Sequence, residues 1–179
     1  GLLPGSGAPT FGSPVLKWQQ GGCYSTWCET GWYSSPAVAD LDGNGTAEVI
    51  GAAYSVFIIN GSDGSLKKKI DPSGGRVWPG VVVSDLDGDG DLEIVTAHGD
   101  GYVHTFDHNG DLLWSRQPTP GNELRSLAVY DLEGDGDLEI LVASTRSYDQ
   151  WWVYEHDGSL RPGNWPQHGP DSDTNGYTA

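Results

Sequence analysis

Apolar residues fall in short runs along this chain, and each run is closed by Gly, Asn, Asp or Pro. Val56–Ile59, Tyr102–Phe106 and Trp151–Tyr154 are typical. Runs of this length, rich in β-branched and aromatic residues, read as strands. No stretch shows the 3.6-residue period of an amphipathic helix. The pattern also repeats. SPAVADLDGNGTAEVIGAA, GVVVSDLDGDGDLEIVTAH and SLAVYDLEGDGDLEILVAS align, with leading Asp40, Asp85 and Asp131 spaced 45 and 46 residues apart. VFIINGSDGSL, YVHTFDHNGDL and WWVYEHDGSL follow in the same frame. Each copy therefore reads as strand, acidic loop, strand, tight turn, strand, Gly turn, strand. In the second copy the predicted strands are Trp78–Ser84, Leu92–Ala97, Tyr102–Asp107 and Leu112–Arg116.

A period near 45 suits a four-stranded propeller blade. The expected fold is all-β: a β-propeller-like array of four-stranded antiparallel blades in one domain over residues 1–179. Residues 1–33 form a terminal strand and Cys loop, 34–75 repeat 1, 76–120 repeat 2, 121–166 repeat 3 and 167–179 a closing segment. Phe11–Gln19 resembles the last strand of a repeat whose start is missing, and Gly169–Ala179 resembles the start of another. Three complete repeats and a composite fourth blade from the two ends are therefore expected. Leftover edges of this kind invite pairing between chains.

Charge narrows the function classes. The net charge is −16, which disfavours nucleic acid and anionic membrane surfaces as partners. No apolar stretch approaches the length of a membrane-spanning helix, so no membrane insertion is expected. Over half of the 25 acidic residues lie in the three repeated loops. Counting from the leading Asp, the first loop offers Asp40, Asp42, Asn44, Thr46 and Glu48 at positions 1, 3, 5, 7 and 9. The second offers Asp85, Asp87, Asp89, Asp91 and Glu93, and the third Asp131, Glu133, Asp135, Asp137 and Glu139. Alternate oxygen donors on a Gly-containing loop suit calcium, which takes six to eight oxygens in flexible geometry. Three ions are expected.

DLDGNGTAE, DLDGDGDLE and DLEGDGDLE resemble the calcium loops of FG-GAP and VCBS repeats. The resemblance covers residues 34–160. It implies a propeller of the kind found in integrin α-chain heads and in secreted microbial proteins. It also implies that positions 1, 3, 5 and 9 ligate by side chain and position 7 by its backbone carbonyl. Those roles carry onto the fifteen residues just named. The departure from the family lies in length, with only three complete loops present.

The remaining signals are weaker. Cys23 and Cys28, spaced C-x4-C, suit a small disulfide loop and an oxidising compartment. Of two glycosylation sequons, Asn44-Gly-Thr46 overlaps a calcium loop, so Asn60-Gly-Ser62 is the better acceptor. Trp151 and Trp152 point to opposite faces of one strand and are candidates for glycan contact. No nucleophile motif or singled-out carboxylate pair indicates catalysis, so no enzyme activity is expected. The expectation is an extracellular or cell-surface module for adhesion or self-assembly, with itself or another extracellular protein as partner. A carbohydrate-binding module, or a fragment of a polysaccharide-active enzyme, is the alternative.

Overall fold

The computed structural model describes residues 12–23, 28–29, 34–145 and 149–168. All twelve regular elements among them are strands: β1 (Ala37–Ala39), β2 (Glu48–Ala52), β3 (Val56–Asn60), β4 (Leu66–Ile70), β5 (Val82–Ser84), β6 (Glu93–Ala97), β7 (Val103–Phe106), β8 (Leu112–Arg116), β9 (Leu124–Tyr130), β10 (Glu139–Ser144), β11 (Asp149–Tyr154) and β12 (Gln167–His168). They form three four-stranded sheets in the orders β1-β2-β3-β4, β5-β6-β7-β8 and β9-β10-β11-β12. Every pairing is antiparallel, so each sheet is a meander of strands adjacent in sequence.

The first strands of the three sheets lie next to one another, β1 against β5 and β5 against β9. The sheets stack face to face outward from them, in a β-propeller-like arrangement. No strand pairing among the described residues joins the first sheet to the third. Residues 169–179, half of the expected composite blade, lie outside the described residues.

Packing follows from strand alternation. The second sheet lies between the other two, so β6 is buried on both faces. Ile94 faces the first sheet, packing with Ile50, Val56, Ile58 and Phe106. Its neighbour Val95 faces the third sheet, packing with Ile140, Val142, Trp152 and Tyr154. Burying a side chain of this size contributes about 1.5–3 kcal/mol. The expected first strand of repeat 2, Trp78–Ser84, is shorter in the structure: only Val82–Ser84 pair with β6. Pro79 has no N–H to donate to a ladder, which ends the strand early.

The turns between the last two strands of a repeat lock onto the preceding sheet. Gly158 has φ 78°, and a Cβ there would lie 2.6 Å from the Trp114 ring. The Trp114 indole N–H donates to the His156 carbonyl at 2.8 Å, and Arg116 donates to the Gly158 carbonyl. Trp18 and Gln20 make the matching contacts on the first sheet. Trp18 donates to the Gly61 carbonyl at 3.0 Å, and Gln20 donates to the Gly64 carbonyl. The segment around Trp18 thus occupies the place that β8 takes beside the third sheet.

The Cys23–Cys28 disulfide is formed. It flanks Glu29, which is buried and accepts hydrogen bonds from the Ser55 N–H at 2.7 Å and the Ser55 hydroxyl at 2.7 Å. The small loop thus delivers a carboxylate to cap the β2–β3 turn.

Candidate metal centres

The three acidic loops join the first and second strands of their sheets, so they emerge at one end of the stack. Each closes on itself by the same chemistry. The position-1 carboxylate accepts from the position-6 N–H: Asp40 from Gly45 at 2.7 Å, Asp85 from Gly90 at 3.0 Å and Asp131 from Gly136 at 3.0 Å. The position-5 side chain accepts from the position-7 N–H in Thr46, Asp91 and Asp137 alike. Positions 4 and 6 are Gly with positive φ in every loop, from 65° at Gly43 to 105° at Gly136. Other residues adopt this backbone only with strain.

Position 9 is the anchor. Glu48, Glu93 and Glu139 are the first residues of β2, β6 and β10, and all three are buried. Each carboxylate turns back to accept from the position-2 N–H: Leu41 at 2.9 Å, Leu86 at 2.8 Å and Leu132 at 2.7 Å. Burial disfavours the charged form of such a group. Burial pushes the Glu93 carboxyl above its ordinary value, and Asp87, Asp89 and Asp85 push it further. Burial raises Glu139 in the same way, with Glu133 adding to it.

Among the described residues, three groups of carboxylates converge closely enough to share an ion, with oxygens within 4.8 Å of one another. Asp40, Asp42 and Glu48, positions 1, 3 and 9 of the first loop, form one, and Asp85, Asp87 and Asp89, positions 1, 3 and 5 of the second, form another that does not include Glu93. The third differs from the expected set. It joins Glu133 and Glu139 to Glu155, at the end of the next hairpin, rather than to Asp131 and Asp135. Glu155 was missed in the sequence because it lies 16 positions beyond Glu139. A signal was present: β2–β3 register pairs Glu48 with Asn60, and Glu155 holds the frame of Asn60 in repeat 3.

Basic residues enter two of the groups. The Lys67 ammonium lies 2.8 Å from Asp42 and 2.9 Å from Glu48. The Arg161 guanidinium pairs with Glu133 and lies 3.5 Å from Glu139 and 3.8 Å from Glu155. At position 7, Asp91 lies 3.7 Å from His108 and Asp137 lies 3.3 Å from His156. The donor set of all three loops is oxygen alone, which suits a hard cation. One oxygen of Asp85 is enclosed and accepts no hydrogen bond from the described residues.

The other candidate residues are placed separately. Trp152 is buried in the layer between the second and third sheets, while Trp151 is 41% exposed. The Asn60 amide donates to the Ser65 hydroxyl at 2.6 Å at a hairpin end.

Comparison with known proteins agrees with this repeat. The family described as FG-GAP-like repeat matches residues 85–142. No curated protein sequence matches the chain significantly. Among solved structures, the V. cholerae biofilm matrix protein Bap1 is 25% identical with a TM-score of 0.38, over 75% of this chain and 28% of that one. The quinohemoprotein alcohol dehydrogenase ADHIIG from Pseudomonas putida HK5 is 18% identical with a TM-score of 0.53, over 72% of this chain and 19% of that one. BBS1N, in its complex with ARL6DN, is 16% identical with a TM-score of 0.50, over 76% of this chain and 37% of that one. The chain thus spans a minor part of each, and the last two likenesses show the fold alone. From the second acidic loop into β10, residues 85–142, this chain carries an FG-GAP-like repeat.

Proposed function

We propose that this chain is a calcium-stabilised, β-propeller-like extracellular module that serves adhesion or structural assembly rather than catalysis. The observation that carries the reading is the threefold loop geometry: oxygen donors only, two obligatory Gly bends, and a buried position-9 Glu tying each loop to its sheet. Asp85, Asp87, Asp89 and Glu93 would hold calcium in the second loop, with the corresponding residues of the other loops holding two more ions. Calcium there supplies positive charge and cross-links the loop.

A module that depends on calcium suits the outside of a cell, where the ion is abundant enough for sites of about 0.1–1 mM affinity. The disulfide fits an oxidising compartment. Partners of this reading are a second copy of the chain, or another extracellular protein, at the sheet edges and end faces of the arc.

Calcium at ten times its dissociation constant stabilises a folded protein by roughly 1.4 kcal/mol per site. Three sites together raise the melting temperature by about 10 °C for a chain of this size. Thermal unfolding in calcium and in chelator measures this directly, and light scattering on the same samples reads assembly. Coincident melting curves would overturn the calcium reading. A monomeric mass at every concentration would overturn self-assembly.

A further inference from the structure

The three repeats share their acidic loops but differ in what the following hairpin presents to them. β4 and β8 pair with β3 and β7 through the same irregularity. Ile59 pairs with Leu66 and Ile58 with Lys68, which leaves Lys67 as the extra residue. Phe106 pairs with Leu112 and Thr105 with Trp114, which leaves Leu113. In the third sheet Tyr154 bridges to Leu160, and Arg161 comes next. Lys67, Leu113 and Arg161 are therefore equivalent positions. Two of them carry a cation into the carboxylate group of their own repeat, at the distances given above. The third is a half-exposed leucine. The second loop thus gathers Asp85, Asp87 and Asp89 with no Lys or Arg paired to it among the described residues, and with one enclosed Asp85 oxygen that accepts no hydrogen bond from them.

We propose that Lys67 and Arg161 are tethered counter-ions that hold the first and third loops in shape without metal, which leaves the second loop as the tight calcium site of the three. The inference rests on the calcium reading of the loops. Lys67 and Arg161 keep part of their side chains in solvent, where ion pairs are readily broken, so they do not block their sites outright. A swung-out side chain remains tethered nearby, however. A divalent ion and a side-chain cation about 5 Å apart repel enough, even at the dielectric of bulk water, to weaken binding on the order of tenfold. The glutamate at position 3 of the third loop extends the same logic. Glu133 is paired with Arg161, so calcium at that loop competes with the guanidinium for it. A graded module follows: one loop filled at low calcium, two filled only as calcium rises.

The test is isothermal titration calorimetry of calcium chloride into the whole chain after removal of metal by chelator, with circular dichroism on each variant. The expected result is one tight event and two weaker ones, separated by about tenfold or more. Asp87→Asn should abolish the tight event and spare the others. Leu113→Lys should weaken the tight event by about tenfold, and Lys67→Met should strengthen one weak event by about the same factor. Three equal events, a tight event that survives Asp87→Asn, or an unchanged profile in Lys67→Met with native circular dichroism would each overturn the inference while leaving the calcium reading in place. No heat of calcium binding at all would overturn the calcium reading itself.

Discussion

Replacing Glu93 by Gln separates charge from shape in the second loop. The amide keeps an oxygen that can accept the 2.8 Å hydrogen bond from Leu86, so the tie between loop and sheet survives. It removes a negative charge that burial and three neighbouring aspartates disfavour. In chelator the variant should therefore be more stable than the parent. The gain is about 1 kcal/mol, the scale of one pair of like charges ~4 Å apart in a watery dielectric. In calcium the sign reverses, because the ion loses a carboxylate. A hundredfold loss of affinity at saturating calcium removes about 2.7 kcal/mol. The net change is a loss of roughly 2 kcal/mol. Glu48→Gln provides the contrast. Glu48 is buried and faces the partly exposed Lys67, so its neutralisation removes one half of an ion pair and should cost stability in both conditions. Urea midpoints of the parent and both variants, in calcium and in chelator, provide the measurement. A Glu93→Gln effect of one sign in both conditions would refute the reasoning, as would Glu48→Gln and Glu93→Gln behaving alike in chelator.

Two further outcomes are expected. His98 is fully buried, its Nδ1–H donating to the Gly75 carbonyl at 3.0 Å, and burial lowers its pKa from 6.5 to about 4. The unfolded chain takes up that proton first, so stability is whole above pH 6.5 and is lost as pH falls through about 4, by about 3 kcal/mol in all. His98→Gln should flatten the dependence of the urea midpoint between pH 7 and pH 4.5 in chelator; identical slopes would argue that another group governs it. Trp152→Ala should cost about 3–5 kcal/mol because it empties the layer between the second and third sheets. Trp151→Ala should cost less than about 1 kcal/mol, and on a glycan array its loss of signal would support a carbohydrate partner, whereas a parent that binds no glycan counts against one.

The order of strands in each sheet was legible because it is local. Strands adjacent in sequence pair, and the loop-to-loop spacing of 45 and 46 residues repeats the unit. The loop interior was legible for the same reason. Asp at positions 1 and 5 and Gly at 4 and 6 act within a few residues of themselves, so the pattern carries the geometry with it. Alternation along β11 placed Trp151 and Trp152 on opposite faces. Which of them is buried depended on where the second sheet lies, and that was set by packing with Val95 and Val142.

The rest depends on contacts between segments distant along the chain. Glu29 caps a turn about 25 residues away, which no local motif announces. Lys67 reaches its loop through a hairpin irregularity, Arg161 from the residue after the Tyr154–Leu160 bridge, and Glu155 joins Glu133 and Glu139 by cross-strand register. By itself, then, the sequence determined the repeat, the acidic loops and the oxygen-only chemistry, because those are properties of consecutive residues. Only the tertiary structure decided which loops hold a Lys or Arg among their carboxylates and which, among the described residues, does not, because that balance is struck between charges that the chain brings together only when the sheets form.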